Sequence, residues 1–267
     1  MEKLNLKDKW VVVTGASSGL GRAIAMQLAI RNQANIIIVA RRTHQLEALK
    51  DEINKLCHSE VVIITLDISD SNAVKTFSEN ILLKYEISGL VLNAGVTFFG
   101  AHYELNLETK NQILNVNIHG SLEMLTIFHN YFVSKKSPSG ILVISSMGAY
   151  HPVPYQALYS GTKAFLFNFA YALGFENENP NYQISIFTPG GIETEMTSDK
   201  KFNKLKSWMM PVETAASEAI HTLTNRKRVY IPGFFNRIGN YFMHLIPKSW
   251  IGSQMAKMYK KSLGINA

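Results

Sequence analysis

A glycine-rich turn set between an apolar run and a helical pattern constrains this chain more than any other feature. Val11-Val12-Val13 follows a charged lead and predicts a short buried strand. Thr14-Gly15-Ala16-Ser17-Ser18-Gly19-Leu20-Gly21 comes next, and Ile24, Leu28 and Ala29 then recur at helical spacing. Glycines at 15, 19 and 21 let the backbone turn tightly and bring the free N–H groups of a helix start up to an anion such as a pyrophosphate. The spacing is G-x-x-x-G-x-G, and by itself it is equally that of a purely structural turn. Its position directly after a buried strand favours the anion.

Strands and helices continue to alternate. Ile36–Val39 predicts a second strand, and Leu46, Leu49, Ile53 and Leu56 mark a second helix. Val61–Ile64 is a third strand, Ser71 to Leu83 a third helix, and Leu90-Val91-Leu92 a fourth strand. A helical stretch runs from Leu107 to Phe132, and Gly140 introduces a fifth strand at Ile141–Ile144. Tyr159 to Phe175 reads as a helix, Gln183 to Phe187 as a sixth strand and Arg228–Ile231 as a seventh. The strand runs are continuously apolar, as parallel strands covered on both faces must be. There is no break in composition and no repeat. The prediction is α/β: one doubly wound, Rossmann-like domain over 1–267, with a mostly parallel seven-stranded sheet and helices on both faces.

Composition narrows the class. Apolar residues make up 46% of the chain, enough for a full core. The one cysteine, Cys57, excludes an internal disulfide framework and a cysteine-rich zinc site. It lies in a helical pattern and reads as an inert thiol in a reducing compartment. No metal site is expected. No apolar signal core precedes Lys7-Asp8-Lys9, and no run approaches the ~18 apolar residues of a membrane span. These features predict a cytoplasmic chain, bound at most to a membrane surface.

The end of the second strand bears on ligand choice. Arg41-Arg42 follows Ala40, where a cofactor with a free ribose 2′-hydroxyl usually meets a carboxylate. Two guanidiniums suit a 2′-phosphate instead, and so favour NADP(H), although a solvated pair closing the strand has the same sequence. Asp67, after the third strand, suits either an acceptor for an adenine amino group or an ordinary turn. Asn93-Ala94-Gly95 ends the fourth strand at the edge where such sheets bind ligands.

Tyr159 and Lys163 stand four apart on one helix and share a face. A phenol is a poor acid at neutral pH, and a nearby ammonium lowers its pKa. Ser146, just past the fifth strand, can orient a substrate oxygen toward Tyr159, or be a turn serine. Asn117 falls inside a helical stretch, where asparagine is unfavourable unless its side chain has work to do. It can kink the helix and hold a water that passes protons to Lys163.

Thr14-Gly15-x-x-x-Gly19-x-Gly21, Asn93-Ala94-Gly95, Asn117, Ser145-Ser146, Tyr159-Ser160-Gly161-Thr162-Lys163 and Pro189-Gly190 together resemble the short-chain dehydrogenase/reductase family, in its order and approximate spacing. The resemblance implies a catalytic tetrad of Asn117, Ser146, Tyr159 and Lys163, with no member substituted. It implies a cofactor lying along Gly15, Ser17, Ser18, Gly19, Leu20, Gly21, Arg41, Arg42, Asp67, Ile68, Asn93, Ala94, Gly95, Tyr159, Lys163, Pro189, Gly190, Ile192 and Thr194. The implied reaction is hydride transfer between a nicotinamide and a carbonyl or alcohol carbon, with Tyr159 moving the proton. The helices at 107–132 and 159–175 resemble the family's oligomer faces, so a homodimer or homotetramer is expected.

Residues 191–210 correspond to the family's usual substrate lid and include Ile192, Met196, Phe202, Trp208, Met209 and Met210. Val96, Phe98, Phe99, Met147, Tyr150, Val153 and Tyr155 can line the same cleft, which favours a bulky apolar carbonyl compound, although many of them can equally be core. His151 reads as a surface or loop histidine rather than a second acid–base group. The net charge of +7 is uneven: Ala219–Ala267 carries eight Lys/Arg and no Asp/Glu. From 226 to 267 these alternate with apolar residues such as Phe234, Phe235, Ile238, Tyr241, Phe242 and Trp250, an amphipathic extension. That extension suits an anionic membrane surface, a cover for the cleft, attraction of an anionic substrate, or a packed helix with a solvated basic face. No nucleic-acid recognition motif accompanies it. The competing functional class is a regulator that binds NADP(H) without turnover, or a membrane-surface interaction protein on the same fold.

Overall fold

The computed structural model of the chain describes residues 2–198, 201, 206, 209–243 and 245–265. The elements in order are β1 (Trp10–Thr14), α1 (Gly19–Asn32), β2 (Asn35–Ala40), α2 (Thr43–Leu56), β3 (Val61–Thr65), α3 (Ser71–Lys84) and β4 (Ile87–Leu92). Then come α4 (Leu107–Leu114), a π-helical turn (Asn115–Gly120), α5 (Ser121–Val133), β5 (Ser139–Ile144), α6 (Ala157–Glu176) and β6 (Tyr182–Phe187). The chain continues with α7 (Val212–Thr224), β7 (Val229–Tyr230), α8 (Phe234–Met243) and α9 (Lys248–Leu263).

The strands form one seven-stranded sheet in the order β3-β2-β1-β4-β5-β6-β7, parallel throughout. Period-two alternation divides their side chains between two cores. Val11, Val13, Ile36 and Ile38 face one side, where Leu28 of α1, Leu46 and Leu49 of α2 and Ala216 and Ala219 of α7 cover them. Val12, Ile37, Leu90 and Val143 face the other, against Val74 of α3, Phe128 of α5 and Leu166 of α6. Full burial of each such side chain stabilises the fold by roughly 1.5–3 kcal/mol. The direction of winding reverses between β1 and β4, and the crevice at their carboxyl ends is where such sheets bind ligands.

Every strand expected from periodicity is present. Three helical features differ. The stretch from 107 to 132 is interrupted by the π-turn at Asn115–Gly120. Gly120 permits it: a Cβ there would lie 1.8 Å from the Ile68 carbonyl oxygen. α7 was not anticipated, although Ala215, Ala219, Ile220 and Leu223 carry its period; its alanines let it lie close on α1. The C-terminal extension forms two helices rather than one amphipathic segment. Of the expected lid residues, Phe202 and Trp208 lie outside the described residues.

Candidate active site

The glycine turn forms a tight cradle at the end of β1. Gly15 and Gly19 hold φ of +66° and +53°, which favours glycine at both. A Cβ on Gly15 would lie 2.9 Å from Ala94 Cα, and one on Gly21 would lie 2.3 Å from the Gly15 carbonyl oxygen. One on Gly19 would meet Thr194 at 3.2 Å, so the loop after β6 passes directly over the turn. The Thr14 hydroxyl donates to Val91 O at 3.2 Å and accepts from the backbone N–H groups of Asn93 and Ala94 at 3.0 and 3.1 Å, fixing Asn93-Ala94-Gly95 against the cradle. Asn93 Nδ2 donates to Thr14 O at 3.0 Å. Leu20 and Ile68 are buried beside these turns. Ser18 stands at the N-cap of α1 without capping it, because its hydroxyl accepts from Arg42 instead.

Arg42 is fully engaged. Its Nη2 donates to Ser18 Oγ at 2.7 Å and to Ser17 Oγ at 3.2 Å, and Nη1 and Nη2 each donate to a Glu195 carboxylate oxygen at 3.0 Å. This is a bidentate guanidinium–carboxylate pair. Hydrogen bonds from Arg42 and Ser18 hold the Glu195 carboxyl down at about 2. Arg41 reaches Asp67 at 3.8 Å, and Asp67 also accepts from the Ser69 backbone N–H and hydroxyl at 2.9 and 2.8 Å. The local sequence around Arg41-Arg42 has no carboxylate, but the fold brings two. The order β3-β2-β1 sets the end of β3 beside the end of β2, and the loop after β6 folds across the turn. Glu195, 153 residues from Arg42, had no sequence signal.

The residues expected to react converge at the ends of β4 and β5. Lys163 is 4% exposed and donates from Nζ to Ile144 O at 2.9 Å, while Ser145 Oγ donates to Lys163 O at 2.9 Å. These bonds tie α6 to the end of β5. The Lys163 ammonium stands 5.8 Å from the centre of the Tyr159 ring. Ser146 Oγ accepts from Gly148 N at 3.1 Å, and its hydroxyl is near enough to Tyr159 to favour the phenolate.

Asn117 lies within the π-turn and is 1% exposed. Its Oδ1 accepts from Val96 N at 2.8 Å, and its Nδ2 donates to Val96 O at 2.9 Å and Thr162 Oγ1 at 3.0 Å. The expected distortion of the helix is there, and the side chain clamps the segment after β4 to α6. A Cβ on Gly95 would lie 3.3 Å from Lys163 Nζ and 3.4 Å from Asn117 Oδ1, so Gly95 is the point where the two meet.

Burial, rather than the ammonium, sets the titration of this pair. Desolvation pushes the Tyr159 phenol up to about 12, with the nearby Ser146 hydroxyl acting in the opposite direction. Desolvation likewise pushes Lys163 down to about 8. Both groups are driven toward their neutral forms, because a charge in this pocket loses its hydration.

A cavity of about 30 Å³ opens on Tyr159, lined by Phe98, Leu105, Tyr155 and Leu158 among others. A larger one, about 420 Å³, borders Tyr150, Pro152, Ser160, Gly161 and Lys248 and includes neither Ser146 nor Tyr159. Of the expected cleft residues, Phe98 and Tyr155 line the site. Phe99 instead packs edge-on against Tyr259 of α9 at 5.2 Å, Val153 is buried, and the Tyr150 hydroxyl meets Thr188 Oγ1 at 3.2 Å. Met147 N donates to Pro189 O at 2.8 Å, which holds Pro189-Gly190 at the end of β6. Ile192 pairs with Met210 by an isolated bridge, and Met196 is exposed. His151 lies in a loop as expected but is buried, with Nε2 3.3 Å from Asn240 Oδ1, because α8 closes over it.

The short chain dehydrogenase family profile matches residues 9–204. The chain is 30% identical over 254 residues to hydroxysteroid dehydrogenase-like protein 1 of Gallus gallus, covering 94% of this chain and 76% of that protein. It is 28% identical over 258 residues to inactive hydroxysteroid dehydrogenase-like protein 1 of Homo sapiens, covering 96% and 77%. A solved 7beta-hydroxysteroid dehydrogenase superposes with a TM-score of 0.80 at 20% identity, over 96% of this chain and 100% of that one. An alcohol dehydrogenase from the archaeon Thermococcus sibiricus, complexed with 5-hydroxy-NADP, superposes with a TM-score of 0.71 at 26% identity, over 84% and 94%. By profile, fold and similarity, the chain belongs to the short-chain dehydrogenase family of oxidoreductases.

Proposed function

We propose that this chain is an NADP(H)-dependent oxidoreductase that moves a hydride between nicotinamide and a carbonyl or alcohol carbon of a bulky apolar substrate. The observation that carries this reading is the convergence of Ser146, Tyr159 and Lys163 at the carboxyl edge of the sheet, with the phenol buried and so held in its protonated form. NADPH, when bound, supplies the hydride. The Ser146 hydroxyl orients the substrate oxygen. Tyr159 donates its phenolic proton to that oxygen as negative charge develops, so the carbonyl becomes a neutral alcohol and Tyr159 a phenolate. The Lys163 ammonium then stabilises the phenolate. Asn117 positions: through Val96 and Thr162 it fixes the wall on which the nicotinamide side of the site is built.

The residues fit the cofactor. The cradle leaves no room for a Cβ at Gly15 or Gly21, and α1 begins there without a side-chain cap. Arg42, steadied by the Ser17 and Ser18 hydroxyls that accept from it, already holds an anion, the Glu195 carboxylate, in the way a 2′-phosphate would be held. The hydroxysteroid relatives and the apolar wall of Phe98, Leu105 and Tyr155 favour a steroid-like or acyl ketone.

NADPH consumption across apolar ketones, steroid ketones and 3-oxoacyl thioesters tests the reading; at least one class should turn over. The human relative named inactive favours a second reading, a sensor that binds NADP(H) without turnover. NADPH binding with no rate on any of these compounds would establish that one instead. α6 exposes Phe165, Tyr171 and Phe175, a face suited to a second copy. Light scattering should find a dimer or tetramer, and a species of 30.0 kDa alone would contradict it.

A further inference from the structure

The amphipathic extension resolves into two helices with opposite relations to the body. α9 packs down: Tyr259 lies on Phe99, and a Cβ on Gly252 would touch Pro152 at 3.6 Å. α8 is inverted. Its two asparagines turn inward, where Asn240, 7% exposed, meets His151, and Asn236 Nδ2 donates to Pro232 O at 3.0 Å. Its apolar side chains turn outward: Phe234, Phe235, Ile238, Tyr241 and Phe242, continued by Leu245, share one exposed face. Phe235 is 86% exposed, Tyr241 70% and Leu245 75%. A helix covered only by water gains nothing from this arrangement, because the hydrophobic effect drives the reverse. An apolar surface of this kind marks a contact.

Charge identifies the contact. The 49 residues from Ala219 to the end hold eight Lys/Arg and no acidic residue. Exposed Arg237 lies on α8 itself, exposed Lys248, Lys257 and Lys260 lie on the following α9, and exposed Trp250 stands in the first turn of α9. A second copy docked here would press like charge on like charge. An aromatic face bordered by cations, on a helix of ten residues, matches an interfacial helix instead. Among the described residues no helix is long and apolar enough to cross a membrane, so the chain would lie on the bilayer.

We infer that α8 docks this chain on an anionic lipid bilayer, its Phe235–Phe242 face entering the headgroup boundary and its flanking lysines and arginine meeting anionic headgroups. The inward face of the same helix adjoins the site: a Cβ on Gly190 would lie 3.5 Å from both Asn236 of α8 and Met147. Docking therefore holds the helix that packs on Gly190 at the lipid, where an apolar substrate dissolves. The docking does not depend on the reaction proposed above, and its test is read without turnover.

Co-sedimentation of the full chain with phosphatidylcholine vesicles, with and without phosphatidylserine, is the test. The chain should pellet with the anionic vesicles and much less with the neutral ones. Phe235→Ser with Phe242→Ser should weaken binding at least about tenfold, and Lys248→Glu about fivefold or more. Unchanged near-ultraviolet dichroism of both variants would show that they remain folded, which their exposed positions predict. A wild-type chain that stays in the supernatant with both vesicles overturns the inference. So does a double serine variant that pellets like wild type, which would leave charge acting alone. A wild-type dimer that ignores vesicles and becomes monomeric in the double variant would give the face to a second copy.

Discussion

The carboxyl edge of the sheet and helix α8 break the rule of burial in opposite senses. At the edge, Lys163, Asn117 and Ser145 are buried, and each finds partners: Ile144 O, Val96 and the Lys163 carbonyl. On α8, aromatic side chains face out while asparagines face in. The first inversion is compensated inside the chain by hydrogen bonds, and so it stores chemistry. The second has no compensation within the chain, and so it points outward to a partner. A buried polar group left unpaired costs about 1–3 kcal/mol, which is why the edge is so fully bonded.

The largest test of the contrast is at Tyr159. Tyr159→Phe removes one hydroxyl from the compensated edge, and should lower turnover by a factor on the order of 10²–10⁴ while leaving NADPH binding intact. Turnover and fluorescence titration on one preparation separate the two, and retained turnover would remove the proton-transfer role. Stability comes next. Asn117→Ala strands the Val96 N–H and C=O and should cost about 3 kcal/mol in urea unfolding. Phe235→Ser, on the uncompensated face, should shift stability by no more than about 0.5 kcal/mol. Similar losses at both positions would erase the comparison.

The smallest effect concerns the cofactor edge. Glu195→Gln should tighten NADPH severalfold while changing NADH little, since a 2′-phosphate competes with the Glu195 carboxylate for Arg42. The sign with pH follows from the shift. The carboxyl is held at about 2, below its ordinary value, so the pair is present above that range and lost only as pH falls through about 2. The advantage should therefore be flat from about pH 5 to about pH 8. It should shrink with added salt, because both groups are exposed. Equal tightening for NADH would place the 2′-phosphate elsewhere.

Much of the site was legible because it is local or periodic. The glycine turn, the Tyr159–Lys163 pair and Asn93-Ala94-Gly95 lie within a few residues of the strand ends that carry them, so finding the strands located the site. Asn117 was legible as an anomaly, a poor helix residue in a helix, but its partners were not, since Val96 and Thr162 lie 21 and 45 residues away in sequence. α7 was missed although its alanines and leucine carry the right period. The loop position of His151 is legible in the sequence, but its burial is not, because nothing nearby announces the helix that covers it.

The sequence by itself determined the alternation of strand and helix, the glycine cradle, the residues of the reacting edge and the gathering of positive charge after Ala219. Each follows from backbone sterics, side-chain period or composition, which act within a few residues. Tertiary structure alone decided which groups oppose one another. It set Glu195 on Arg42, drove Tyr159 and Lys163 toward neutrality by burial, and turned the apolar face of α8 outward. Periodicity shows that a helix has two faces; only the packing around it fixes which one meets the protein.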